Sequence, residues 1–259
     1  MDEIKRINYD KFLEIVSDKG FISKYLTKDY YLTVILYLIN DIEGLYFKGG
    51  TALQKIFLNY SRLSEDLDFT LTRDVRDIIE EVTSKLKNSG LFEKITKDKD
   101  VEDFTRLVVH YKDFSNEDDF VFIDLNKRAE LFLKPENHRI KHFYDEDIPE
   151  FSVNTLSKEE MVAEKMAATI GRNRPRDHYD LYKIIKLGIP INIDLVKKKC
   201  RQSKVEFSII KMFNKAKILK KRWDKDLMPL IAEEISFQEV MKILSNYFKL
   251  KEEKDELRK

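Results

Sequence analysis

Two short stretches of this chain combine residue types that handle phosphate and metal. The first is YFKGGTALQK (residues 46–55), which sets two of only seven glycines side by side. Glycine lets a backbone approach a ligand closely, and a helix starting there turns free N–H groups and a positive dipole end toward an anion. The hydroxyl of Thr51 offers a further hydrogen bond. The second is RLSEDLDFTL (62–71), where Asp66 and Asp68 alternate with Leu67 and Phe69. In a strand, that alternation puts both carboxylates on one face and the apolar pair in the core. Carboxylates held so close repel unless a cation lies between them. An all-oxygen set suits Mg²⁺ or Mn²⁺, which take remaining ligands from water and substrate phosphates.

A third carboxylate on a neighbouring strand completes such a site. Asp124, at the end of the apolar run FVFIDL, is the candidate, because a charge there is costly unless paired or metal-bound. Its role is metal ligand or base for an acceptor hydroxyl. Fifteen residues separate Gly50 from Asp66, enough for a helix and a return into the adjacent strand. The parts together fit in-line phosphoryl or nucleotidyl transfer. No G-K-[ST] follows the glycines, so this is neither a P-loop nor a dinucleotide-binding fingerprint.

The elements that must position these residues are legible in the pattern. The first forty residues read as helices, including the buried run YYLTVILYLIN (30–40). A strand LYFK, a helix from about Thr51 and the strand DLDFTL follow. Residues 74–90 have helical periodicity and end on Gly90, a C-terminal cap. FTRLVVHYKD and DFVFIDLN read as antiparallel strands, and residues 126–153 hold one or two short strands. From SKEEMVAEKMAATIG onward nearly everything is helical, opened by a capping box of Ser157 and Glu160, with a second at Ser236 and Glu239. The expected class is α+β, with an α/β core in 1–150 and a helical domain in 151–259.

At 30.9 kDa, with 42% hydrophobic and 12% aromatic residues, the chain is a folded one. The single cysteine, Cys200, excludes an internal disulfide and a Cys-based zinc site. The opening MDEIKRINYD lacks the apolar core of a signal peptide, and no run spans a bilayer, so the expected location is cytoplasmic with no membrane partner. The formal net charge of +1 conceals an asymmetry: Lys197–Lys225 holds twelve Lys/Arg against Glu206 and Asp224. Such density reads either as a nucleic-acid face or as a solvated helix surface.

KGGTAL followed by RLSEDLDF resembles the glycine-rich and D-x-D motifs of the DNA polymerase β-like nucleotidyltransferase superfamily. It is most similar to the AbiEii/AbiGii (MenT-like, DUF1814) toxin branch. That branch also has a lysine-bearing helix followed by RD-x-x-D, and EKMAATIGRNRPRDHYDLY (164–182) matches it. The resemblance covers residues 40–185. It implies a polymerase β-like core, a mixed sheet flanked by helices, followed by a helical domain that contributes Lys165 and Asp177 or Asp180 to the site.

The residues of that last motif agree. Lys165 falls on the inward stripe of its helix, where the bland alternative is a snorkelling lysine. Arg172, Arg174 and Arg176 follow, a cluster suited to triphosphate or RNA backbone. Pro175 and Asp177 read as a helix start, and Asp177 and Asp180 lie one turn apart, one of them orienting Lys165 or an arginine. The expected catalytic set is Asp66, Asp68, Asp124, Lys165, Asp177 and Asp180, with the three strand carboxylates on metal. The nucleotide-binding set is Lys48, Gly49, Gly50, Thr51, Arg62, Ser64, Lys165, Arg174 and Arg176.

Several features are set aside. His138 and His142 lack a third ligand and read as loop residues. Trp223 reads as a packing anchor, and His178 as filling space. Arg62 and Ser64 shape the loop into the catalytic strand.

The expected activity is metal-dependent transfer of NMP from an NTP to an acceptor. The resemblance implies a toxin, an RNA acceptor such as tRNA and a cognate antitoxin. The alternatives are the same chemistry on a protein or small molecule, or a non-catalytic module that binds nucleotide or RNA.

Overall fold

A computed structural model describes residues 4–127 and 130–256. Arg128 and Ala129, within the stretch expected to hold one or two strands, and the opening Met1–Glu3 lie outside the described residues. The chain divides into two compact units, Met1–Ser157 and Lys158–Lys259.

In chain order the first unit contains α1 (Tyr9–Lys19), α2 (Ser23–Leu38), β1 (Leu45–Lys48), α3 (Gly49–Ile56), β2 (Asp66–Leu71), α4 (Val75–Asn88), β3 (Lys94–Val101), β4 (Phe104–Lys112), β5 (Asp118–Asn126), β6 (Glu136–Arg139) and β7 (Ser152–Thr155). The strands form one mixed sheet in the order β3-β4-β5-β2-β1-β7-β6. Parallel pairs join β2 to β5 and β1 to β7, and the other neighbours run antiparallel. The second unit is helical: α5 (Lys158–Gly171), α6 (Pro175–Lys186), α7 (Ile193–Gln202), α8 (Ile209–Asn214), α9 (Ala216–Asp226), a 3₁₀ turn at Met228–Leu230, α10 (Phe237–Tyr247) and α11 (Leu250–Glu256). The protein is therefore α+β. Among the described residues no helix is long and apolar enough to cross a membrane.

Period-2 alternation sorts the central strands into two unlike faces. Phe47, Leu67, Phe69, Leu71, Ile123, Leu125, Leu107 and Val109 are all buried and form the apolar face. Helix α2, apolar around most of its circumference, packs on β5, and α3 packs on β1 and β2. The amphipathic α4 sets Ile78, Val82 and Leu86 against α2. The alternate residues, including Lys48, Asp66, Asp68, Asp124 and Arg106, belong to the other face by the strand register.

Two outcomes differ from the pattern reading. β3 was not expected, because KITKDKDV has charges where an alternating strand has apolar residues. It is an exposed sheet edge with a register shift between Lys97 and Lys99, and charge and bulge at an edge block pairing with another chain. His138 lies on β6 rather than in a loop, with Nε2 2.7 Å from Glu136.

The first unit buries an ion pair. Lys55 on α3, fully buried, sits 2.7 Å from Asp29 on α2 and donates to Thr33 Oγ1 and Tyr60 OH. Tyr144 OH donates to Asp29 Oδ2 at 3.2 Å, and Tyr60 OH to the carbonyl of Lys141. Burial pushes the Lys55 pKa down, and the Asp29 charge opposes that. Burial and Asp29 push both phenols far up, so they stay protonated donors. Asn59 and Tyr60 adopt left-handed backbone (φ 49° and 53°), an unfavourable conformation held by what Tyr60 reaches. This network anchors α3, the helix that opens on Gly49 and Gly50. Replacing Lys55 with Met leaves Asp29 buried without its cation, and a loss of about 3–5 kcal/mol is expected. Urea unfolding of Lys55→Met checks this; a midpoint equal to wild type would show that the pair contributes nothing.

Candidate active site

The register of four strands builds the site. Asp68 on β2 pairs with Lys48 on β1 and, across the parallel junction, with Asp124 on β5; Asp124 pairs with Arg106 on β4. One row across the sheet thus reads Lys48–Asp68–Asp124–Arg106, with strands about 4.8 Å apart. Asp66, two residues before Asp68, shares its face. The two central carboxylates are flanked on each side by a cation. Lys48 is 9% exposed and Asp124 7%, while Asp66 and Asp68 are half-buried.

Arg106 grips Asp124 as a fork: Nε donates to Oδ1 and Nη2 to Oδ2, both at 2.7 Å. Its guanidinium lies 4.5 Å from the centroid of the Phe122 ring. The Asp124 carboxylate pushes the guanidinium pKa up, so the charge is permanent. Among the described residues no three His, Cys, Asp or Glu side chains converge closely enough to hold a metal ion. Asp66, Asp68 and Asp124 share a face, Asp68 and Asp124 also share a register, and Asp124 accepts the arginine fork. The donor set still fits a hard divalent cation: it is all oxygen, and the two registered aspartates come from adjacent strands.

The glycines serve this row. The helix begins at Gly49, two residues before the expected start, so the pair forms its first turn. Gly49 has φ +81°, and a Cβ there would collide with the Asp68 carboxylate. At Gly50 a Cβ would stand 2.8 Å from Nη2 of Arg62 and 3.4 Å from Ser64 Oγ. The Thr51 hydroxyl, expected to face phosphate, donates to the carbonyl of Asp66 at 2.5 Å and ties α3 to β2. Arg62 is buried and donates to the carbonyl of Leu63, and Ser64 Oγ lies 3.5 Å from Asp66 Oδ1. Both shape the entry to the carboxylate strand.

Inside the second unit, Lys165 on α5 is 2.9 Å from both Asp177 and Asp180 on α6. Both carboxylates orient it, where the sequence left the choice open. Thr169 links the same helices through the carbonyls of Lys165 and Asp177. Pro175 stands at the first turn of α6, as its fixed φ favours. Arg174 is exposed and Arg176 half-buried. His178 is buried on the carbonyls of Met212 and Arg174. Trp223 is a packing anchor, with its indole N–H on the carbonyl of Ile235.

The basic segment is less uniform than its composition. Lys199 is buried between Glu160 and Glu164 at 2.5 and 2.9 Å. Lys211 pairs with Glu206, and Arg222 with Asp226. Lys198, Arg201, Lys204, Lys217, Lys220, Lys221 and Lys225 remain exposed.

Pattern reading passed over Arg106. A signal was present: a hairpin closing between Lys112 and Asp118 sets Arg106 opposite Asp124 by counting back along both strands.

A family model for the nucleotidyl transferase AbiEii toxin of type IV toxin–antitoxin systems matches residues 33–243, most of the chain. The chain belongs to the AbiEii family. It is a nucleotidyltransferase, and membership implies an NTP substrate and a cognate antitoxin. A search of curated proteins by sequence finds no match. Among solved structures it is similar to MenT4, the nucleotidyltransferase toxin Rv2826c of Mycobacterium tuberculosis H37Rv, at 19% identity and TM-score 0.70. That match covers 94% of this chain and 89% of that one. It is similar also to JHP933 of Helicobacter pylori (19% identity, TM-score 0.61, 92% and 98% covered). A putative nucleotidyltransferase from H. pylori matches equally well (20%, 0.61, 92% and 99%). At these identities the likeness speaks for the fold, and the AbiEii family match carries the activity.

Gly49→Ala combines an unfavourable φ with a collision at Asp68, so nucleotidyl transfer is expected to fall about a hundredfold, the scale of an ångström misplacement. Steady-state transfer rates of the folded variant check this; an unchanged rate would show that the close approach to Asp68 is dispensable.

Proposed function

We propose that this AbiEii-family enzyme moves NMP from an NTP to an RNA acceptor, with tRNA the expected class, in a reaction that depends on Mg²⁺ or Mn²⁺. The observation that carries the reading is the registered pair Asp68 and Asp124, with Asp66 on the same face and the Gly49 backbone pressed against Asp68. Asp66, Asp68 and Asp124 are the residues that would hold the metal, which when bound neutralises phosphate charge and activates the attacking oxygen. Lys48 and the first turn of α3 at Gly49–Thr51 present positive charge and a helix N-terminus to phosphate. Arg62 and Ser64 fix the carboxylate strand behind them. Lys165, Asp177, Asp180, Arg174 and Arg176 are assigned to handling the triphosphate on the family resemblance. Within their own unit, the double ion pair holds Lys165 in place. A cytoplasmic location belongs to the same reading.

The RNA acceptor is supported by the exposed lysines of α9 and by Lys198, Arg201 and Lys204. A protein or small-molecule acceptor is the second reading. It is favoured by the burial of Lys199 and by the carboxylate partners that balance Lys211 and Arg222.

The experiment is incubation with total tRNA, Mg²⁺ and each α-³²P-labelled NTP in turn, beside an Asp66→Ala/Asp68→Ala control. Label on tRNA that requires both aspartates and is lost on chelation is the expected result. A Lys217→Glu/Lys220→Glu/Lys221→Glu variant, which spares the structural Lys199, is expected to label tRNA at least about tenfold less, with a shallower salt dependence. Chelator-resistant labelling would contradict the metal reading, and unchanged labelling by the charge-reversed protein would contradict an RNA face on α9.

A further inference from the structure

Beyond Asp124, the sheet face that holds the carboxylates changes character. By register it carries Phe120 and Phe122 on β5, and Phe104, Arg106 and His110 on β4. These five side chains form a continuous row. The Arg106 guanidinium lies 5.7 Å from the Phe104 centroid and 4.5 Å from that of Phe122. Phe122 meets Phe120 edge-on at 5.2 Å, and Phe120 lies 6.2 Å from His110. The row adjoins the site directly, because Phe122 pairs with Asp66 across the parallel junction and stands two residues before Asp124. Phe120, near the far end, is 39% exposed although Lys28 Nζ lies 5.1 Å from its ring centroid. Single exposed aromatics need no explanation, but a row of them leading away from three carboxylates does.

Charge and direction narrow what this row can hold. Exposed Lys94 and Lys99 on β3 flank it, Lys94 opposite His110 and Lys99 opposite Arg106. Rings interleaved with Lys and Arg are the chemistry that holds single-stranded nucleic acid, bases on the rings and phosphates on the cations. In-line transfer sets the attacking and leaving oxygens on opposite sides of the transferred phosphorus. With the triphosphate at Lys48 and the Gly49–Thr51 turn, on the β1 side of the aspartates, the acceptor arrives over β5 and β4.

We propose, on the RNA-acceptor reading above, that this face of β4 and β5 is a stacking platform for an unpaired stretch of the acceptor, with Phe120 and Phe122 taking its bases. Bases in a duplex hide their faces in the stack, so only unpaired ones can lie on the rings. From Asp124 to Phe120 the strand runs about 14 Å, room for a few nucleotides leading to the attacking hydroxyl. Arg106, planar and held by Asp124, is the station nearest the carboxylates. Every base has a π face, so the platform positions the acceptor without selecting its sequence.

Fluorescence anisotropy of a short, labelled, unstructured single-stranded RNA, titrated with full-length protein without NTP, tests this. Phe120→Ala is expected to bind about tenfold more weakly than wild type, with the salt slope unchanged, since stacking releases no counterions. Phe120→Leu, which keeps apolar bulk and loses the ring, is expected to bind as weakly. Phe120→Trp is expected to bind as wild type does, with its added indole fluorescence quenched by the RNA; a side chain that only packs gives neither result. In steady-state transfer to total tRNA, Phe120→Ala is expected to raise KM for tRNA and leave KM for NTP unchanged. RNA binding equal to wild type in folded Phe120→Ala and Phe120→Leu overturns the platform alone. A raised KM for NTP with unchanged RNA binding gives the row to the nucleotide's base and also overturns it. A wild-type dimer that Phe120→Ala dissociates gives the face to a second copy of the chain, with the same consequence. No binding of this RNA or of tRNA by wild type overturns the RNA-acceptor reading and the platform with it.

Discussion

Parallel pairing of β2 with β5 forces Asp68 and Asp124 side by side on one sheet face, and two adjacent carboxylates cannot stay there without compensation. The molecule meets that constraint with charge placed by register rather than by loops. β1 brings Lys48 to one flank and β4 brings Arg106 to the other, and the Arg106 fork closes directly on Asp124. Strand register is a rigid device, since a slip of one residue would send every one of these side chains into the core. The opposite face, filled by Phe47, Leu67, Phe69, Ile123 and Leu125, is what makes such a slip costly.

The helices then hold what the sheet has aligned. α3 begins at the residue after Lys48, and Gly49 bends over Asp68 so closely that no side chain fits. Thr51 stitches that first turn to the Asp66 carbonyl, and Lys55, one turn further on, is locked into Asp29, Thr33 and Tyr60. A buried ion pair is weak evidence for net stability, yet it has one geometry, and here that geometry fixes the helix that carries the glycines. The second unit repeats the device: Lys165 between Asp177 and Asp180, and Lys199 between Glu160 and Glu164, tie α5 to α6 and α7.

Much of this was readable because each element had a strong local signal. LYFK and DLDFTL are strands with the expected bounds, the Gly90 cap follows α4, and Ser236 caps α10 through the Glu239 N–H. The α+β class followed from the helix and strand patterning, and the family from the ordered motifs. What stayed hidden depended on partners distant in sequence. β3 has a charged edge in place of an alternating pattern. Lys199 looked like one more surface lysine until two glutamates from α5 enclosed it. The hydroxyl of Thr51 looked available, and only the packing of α3 on β2 shows it bonded to backbone. Arg106 was overlooked because its meaning lies in the register of β4 with β5, not in its neighbours along the chain.

The registered aspartates are the expected seat of the divalent cation. Anomalous diffraction from crystals grown with Mn²⁺ and a non-hydrolysable NTP tests that directly. A peak on the face that carries Asp66, Asp68 and Asp124, at the row set by the β2–β5 register, is expected. No peak at this row, or a peak only on carboxylates elsewhere in the chain, would contradict it.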